Sequence, residues 1–224
     1  MPRTARVQPG GYVFHVLNRG NAQMALFEKE ADYAAFEKAM TESAARVGMR
    51  LLAYCLMPNH WHLVLRPHGD GDLGRYMHGL TTTHVRRWHA HRHSVGYGHL
   101  YQGAYKSFPI QADKHFLTVC RYVERNALRA GMVEKAEDWR WGSMGRRYQP
   151  DGDEDRPVLS PWPVDRLRHW RRLVNTPQSA KDLEAVRLSV RRGRPLGGEA
   201  WQARTAKRLQ LESTLRNRGR PRKK

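Results

Sequence analysis

Between Arg50 and Leu65 two short apolar runs, RLLAYCLM and HWHLVL, are separated only by Pro58-Asn59. A spacer of two turn-forming residues leaves room for a tight reversal and nothing longer, so the runs are predicted to be neighbouring strands of one sheet. Strand side chains alternate between faces. His60 and His62 therefore point to one side of the sheet, and Trp61 points to the other, into a core between sheet and helices.

The remaining elements follow from periodicity and punctuation. Tyr12 to Leu17 alternates around Val13 and His15 as a half-buried strand does, and Asn18-Arg19-Gly20-Asn21 follows as a turn. Tyr33, Phe36, Met40, Ala44 and Val47 recur at helical spacing, predicting a helix over 31–47 that stops at Gly48. Asp72 is placed to cap a second helix with the stripe Leu73, Tyr76, Met77, Leu80, His84 and Trp88. Glycines at 96, 98 and 103 mark a long loop, and Lys106 to Gln111 reads as a further strand. Asp113 then caps a helix carrying Phe116, Cys120, Val123 and Ala127 on its apolar side and ending near Gly131. GRRYQPDGDEDRPVLSPWP, from Gly145 to Pro163, has no helical or strand period and reads as a linker. Beyond it Asp165 to Val174, Ala180 to Arg191 and Glu199 to Leu209 are helical in pattern and basic. The predicted division is an α+β domain over 1–145, a linker over 146–163, and a basic, mainly helical extension over 164–224.

Charge narrows the partners. Of 224 residues, 40 are Lys or Arg and 21 Asp or Glu, a net charge of +19 that suits a polyanion, with nucleic acid first among candidates. Residues 161–224 hold 18 of those cations against 5 acids, so +13 of the charge sits in the last 64 residues. The string RGRP at Arg192 to Pro195 and again at Arg218 to Pro221 resembles an AT-hook, an extended segment that lays arginines in a narrow minor groove. Arg194 and Arg220 are its candidate DNA contacts, with a solvated basic tail as the alternative. The two cysteines, Cys55 and Cys120, lie far apart in apolar stretches and read as buried free thiols rather than a disulfide or zinc site. MPRTARVQPGG lacks the apolar segment of a secretory signal, and no run of about 18 apolar residues could span a bilayer. No membrane association is expected, and the chain is expected to be cytoplasmic.

Two constellations carry chemistry. His60 and His62 on one strand face could hold a divalent metal with open positions, or be a hydrogen-bonded surface pair. Tyr122 and Asn126, at i and i+4, project together from one helix face. The phenol could be a nucleophile and the amide oxygen a neutral third ligand suited to Mg2+ or Mn2+, or the tyrosine could simply sit at the edge of the core. A free phenol with a pKa of about 10 attacks phosphorus poorly at neutral pH, so a cation held beside it by two histidines and an amide would supply what phosphodiester transfer needs. Lys106 and Arg121 are candidate phosphate contacts. The histidine-rich WHAHRH at 88–93 reads as a basic, DNA-facing helix end rather than a second metal site.

YCLMPNHWHLVL at 54–65, HLYQGAYKSFPI at 99–110 and CRYVERNALRAGMVE at 120–134 together resemble the REP-associated tyrosine transposases, a branch of the single-tyrosine HUH transposases of the insertion-sequence kind. Asn18-Arg19-Gly20 fits the same pattern and adds Arg19 to the candidate DNA contacts, and the resemblance covers residues 10 to 145. It implies a ferredoxin-like or RRM-like antiparallel sheet with helices, the HUH endonuclease fold, bearing the histidines opposite a helix that presents the tyrosine. It implies that His60, His62 and Asn126 bind Mg2+ or Mn2+, and that Tyr122 attacks single-stranded REP hairpin DNA to leave a 5′-phosphotyrosine and a free 3′-hydroxyl. A nucleoid-associated bacterial protein acting as monomer or homodimer is implied as well.

Two positions depart from the family pattern. Ala127 stands where many relatives have proline after the asparagine, so the helix is expected to run on without a local break. Trp61 replaces the smaller aliphatic usual between the histidines and is expected to repack the core. Competing readings are a non-catalytic REP-DNA-binding protein and a metal-dependent nuclease. A nuclease would be expected to offer a carboxylate, and Glu124, two positions from Tyr122, faces elsewhere.

Overall fold

The structure, a computed structural model, describes residues 6–96, 98–149 and 156–216. Its centre is the unit β1 (Val13–Arg19), α1 (Glu30–Val47), β2 (Arg50–Met57), β3 (His60–Arg66), α2 (Asp72–His91) and β4 (Lys106–Ile110), with the strands ordered β2-β3-β1-β4. Every neighbouring pair is antiparallel. The expected α+β class and antiparallel sheet are therefore what the chain forms, and Pro58-Asn59 joins β2 to β3 with Met57 opposite His60.

The two faces of the sheet are covered differently. Phe14, Val16, Tyr54, Leu56, Trp61, Leu63 and Leu65 point to the side closed by α1 and α2. Val13, Ala53, Cys55, Met57, Val64 and Phe108 point to the other, where α3 (Lys114–Glu124) packs. A register shift between Leu51 and Ala53 puts Leu52 and Ala53 on the same face and brings β2 back into phase with β3. Asp72 opens α2 from inside its first turn, where its carboxylate accepts from the Gly69 N–H and pairs with Arg75. Asp113 caps α3 as expected, accepting from the His115 N–H at 2.8 Å. The thiols of Cys55 and Cys120 are free and buried.

Two expectations are corrected. The helix does not run on unbroken through Ala127: it stops at Glu124, Arg125 lies at φ −85°, ψ 0°, and a separate turn of helix, α4 (Asn126–Arg129), follows. No proline is needed, because the Ala127 N–H turns to the Cys55 sulfur and the Arg125 guanidinium donates to the Val174 carbonyl at 2.9 Å. The basic end of α2 is also fastened to its neighbour within the domain. Arg87 pairs with Glu42 and Arg92 with Asp32, fastening α2 to α1 and the turn before it. Within the stretch read as linker, residues 156–163 lie along the sheet: Ser160 N–H donates to Leu51 O and the Trp162 indole to Leu52 O, each at 2.8 Å.

After α5 (Ser143–Tyr148), the extension folds as α6 (Trp170–Asn175), α7 (Ala180–Arg192), α8 (Glu199–Arg208) and α9 (Glu212–Leu215). Trp170, Val174, Val186 and Leu196 are buried in the same cluster as α3 and the second sheet face. Leu196 also exchanges backbone hydrogen bonds with Pro109 and Gln111, both at 2.9 Å, and so covers the outer edge of β4. Among the described residues no helix is long and apolar enough to cross a membrane.

Candidate active site

The site is built on the second sheet face, at the ends of β1 and β3. His60 and His62 lie there with ring centres 5.1 Å apart. The His60 Nδ1 is 2.7 Å from Asn59 Oδ1, an oxygen that can only accept, so Nδ1 carries the proton and Nε2 keeps its lone pair for the cleft. The His62 Nδ1 is 2.9 Å from Nε2 of His15, a buried β1 residue stacked on it. If His62 donates there, its own Nε2 is likewise free as a ligand atom. Burial, reinforced by Arg19 and Arg129, pushes His60 down to about 4. Burial and the neighbouring His15 and His60 hold His62 well below the usual histidine range. Both rings are therefore neutral at neutral pH, as ligation requires.

Opposite them, α3 brings the Tyr122 ring to 5.8 Å from His62, edge to face, and α4 brings the Asn126 Nδ2 to 3.5 Å from His60 Nε2. A buried polar hub holds α3 at that height. Glu124 accepts from Ser143 Oγ at 2.6 Å and from the Trp170 indole at 2.7 Å and pairs with Arg147, joining α3 to α5 and α6 on the side away from the cleft. Its carboxylate is thus occupied structurally and faces elsewhere, as its spacing from Tyr122 predicts.

His60, His62, Tyr122 and Asn126 line one cavity of about 670 Å³, and Arg19 and Lys106 stand at its rim. Two other predicted contacts lie apart from it. Arg121 donates to the carbonyls of Thr176 and Pro177, tying α3 to the extension, and Arg194 donates to Gln202 Oε1 at 2.8 Å. Arg192 is bonded to Thr214 O and Arg216 O, so the first RGRP string is folded into the domain rather than extended. Arg220 and the second string lie outside the described residues. No group of three His, Cys, Asp or Glu among the described residues could hold a metal ion. Two neutral imidazoles nonetheless stand beside Asn126, whose amide oxygen accepts from Arg129 at 2.8 Å, and residues of this donor chemistry fit a divalent cation with open positions.

Sequence reasoning missed two members of this site. His15 reaches His62 only because β1 lies beside β3 with Leu17 opposite His62, a register that no spacing in the chain reveals. Arg129 also lines the cavity, with its guanidinium carbon 4.3 Å from the centre of the Tyr122 ring. Its spacing, i+3 from Asn126 and i+7 from Tyr122, was the available signal, hidden among 40 cationic residues.

Four antiparallel strands ordered β2-β3-β1-β4, with helices on both faces, define an α+β domain. Residues 11–126 match the family described as "Transposase IS200 like", and the chain belongs to that family. The fold is shared with a solved REP-associated tyrosine transposase bound to a REP hairpin, at 18% identity and a TM-score of 0.54 over 71% of this chain and 93% of that one. A crystal structure of a candidate transposase from Deinococcus radiodurans aligns at 18% identity and a TM-score of 0.37 over 55% of this chain and 96% of that one. No curated protein matches the chain.

Proposed function

We propose that the protein cleaves and rejoins single-stranded DNA through a covalent bond to Tyr122, with hairpins of the REP kind as substrate. The observation that carries this reading is the placement of Tyr122 against His62 and Asn126 against His60 across one cavity. The Tyr122 oxygen attacks phosphorus, the bond to the 3′ oxygen breaks, and that oxygen leaves with a proton as a free 3′-hydroxyl while the phenol proton is released. The product is a 5′-phosphotyrosine, which conserves the phosphodiester so that an incoming 3′-hydroxyl can reseal the strand in the reverse sense.

His60 and His62, through Nε2, and Asn126, through its amide oxygen, would hold Mg2+ or Mn2+. When bound, the cation supplies charge stabilisation at the non-bridging oxygens and favours the phenolate. Asn59 and His15 keep the two rings oriented. Arg19 and Lys106 steer the backbone into the cavity, while the extension serves as the broader basic anchor. The covered edge of β4 suits a monomer. A labelled hairpin oligonucleotide incubated with the protein and Mn2+ tests the reading: cleavage that EDTA abolishes is expected, and equal cleavage with EDTA contradicts it.

A further inference from the structure

In the structure Asn126 does not offer its oxygen to the histidines. Arg129 Nη2 lies 2.8 Å from Asn126 Oδ1, and a guanidinium only donates, so the amide oxygen is committed to Arg129 and the NH2 group faces His60. A cation held by His60 and His62 would meet the wrong end of the amide. Arg129 itself is incompletely satisfied. Its Nη1 is buried with no hydrogen-bond partner, and no carboxylate pairs with the guanidinium among the described residues. It lies over the Tyr122 ring in the same cavity, where a phosphate attacked by that tyrosine must sit. A buried, unpaired guanidinium donor beside the nucleophile is matched by the two-pronged geometry of a phosphate oxygen pair.

We propose that Arg129 is a two-position residue: without DNA it holds the Asn126 oxygen, and with DNA it turns to the phosphate at Tyr122 and releases that oxygen to the divalent cation. The proposal rests on the strand-transfer reading above for the identity of the phosphate, but the first position is a property of the protein alone. Phosphate and cation then assist each other, because each is favoured by the same displacement of one side chain, and that assistance is reciprocal. In the absence of DNA, Arg129 and the cation compete for one oxygen. The device would keep the site poorly metallated until a strand is in place.

The test is Mn2+ affinity, followed by electron paramagnetic resonance on the full chain without DNA. Arg129→Met removes the competitor and is expected to tighten Mn2+ binding about tenfold, the scale of one hydrogen bond to a charged group. Removing a positive charge beside the site would also favour a cation, so the same substitution is made on Asn126→Ala. If the oxygen is the point of competition, the gain from Arg129→Met is mostly absent in the double variant. A gain of equal size in both backgrounds overturns the proposal, as does no gain in the single variant. Arg129→Lys, which keeps the charge but not the planar fork, covers the case in which Arg129→Met does not fold. Partial tightening is expected, and unchanged or weaker binding counts against the two positions. Repeating the titration in Tyr122→Phe with and without a single-stranded hairpin oligonucleotide reads the second position. DNA is expected to tighten Mn2+ binding when Arg129 is present and to add little in Arg129→Met. Equal Mn2+ affinity with DNA bound and absent overturns the coupling. Failure of the oligonucleotide to bind would instead remove the DNA-substrate reading, with the DNA-free comparison still deciding whether Arg129 holds Asn126.

Discussion

One strand, β3, faces two environments in three consecutive residues. Trp61 enters a side closed by two long helices, where its indole donates to the Tyr101 hydroxyl at 3.1 Å and that hydroxyl lies 2.6 Å from His84 Nδ1. His60 and His62 enter a side closed only in part, by α3, α4 and the extension, and the uncovered remainder is the cavity. The polar groups around Trp61 on the sealed face partner one another and serve packing. Those on the other face have lone pairs and donors left over, and that surplus is what a reactive site needs. Chemistry and stability should therefore separate by face.

The sharpest break is expected at Tyr122. Tyr122→Phe should lower cleavage by more than about a thousandfold while thermal stability and hairpin binding stay near those of the parent, since one oxygen is removed from a half-covered site. Trp61→Ala should do the reverse. Emptying that fully buried position should cost about 3–5 kcal/mol in denaturant unfolding, with cleavage per folded molecule far less affected. A folded, stable Trp61→Ala protein that no longer cleaves would erase the distinction between faces. His62→Ala should cost about a hundredfold in metal-dependent cleavage, and Asn126→Ala less, because an amide is the weaker donor.

Acid should act on both faces alike. His15 beneath the site and His84 in the sealed core are each pushed down to about 3 by burial. Below the unfolded value of about 6.5 the unfolded chain takes up protons that the folded one refuses, so stability is full above that pH and falls as pH drops toward 3. Each histidine contributes up to about 1.4 kcal/mol per pH unit. Melting temperatures measured between pH 7 and pH 5 should decline less steeply in His84→Gln than in the parent, and identical slopes would show that His84 is protonated without cost.

The extension is where sequence and structure part most. The hairpin was legible because Pro58-Asn59 leaves no other connection, and the helix start at Asp113 because a carboxylate there satisfies a free N–H. Trp170, Val174, Val186 and Leu196 were not legible as core residues. They are scattered among arginines in short helices, and only their packing against α3 and β4 reveals that the basic extension completes a sheet face. The helix break at Arg125 escaped for the same reason, since its causes, Cys55 and Val174, come from elsewhere in the chain. Deleting 161–224 would thus unfold the domain, and the anchor role is better tested by removing only 217–224, which carry five of its cations. The slope of log affinity against log salt should then flatten by roughly 0.7 for each single-strand phosphate that is no longer neutralised, the smallest effect in this series. An unchanged slope would confine DNA binding to the cavity rim.

The division between faces stands or falls on which residue DNA becomes attached to. A hairpin oligonucleotide trapped on the protein with Mn2+, digested with protease and mapped by mass spectrometry, should yield one modified peptide, CRYVERNALR or a fragment of it, carrying a 5′-phosphate on Tyr122. Attachment at Tyr101 or Tyr105, or cleavage with no protein-linked product, would contradict the account.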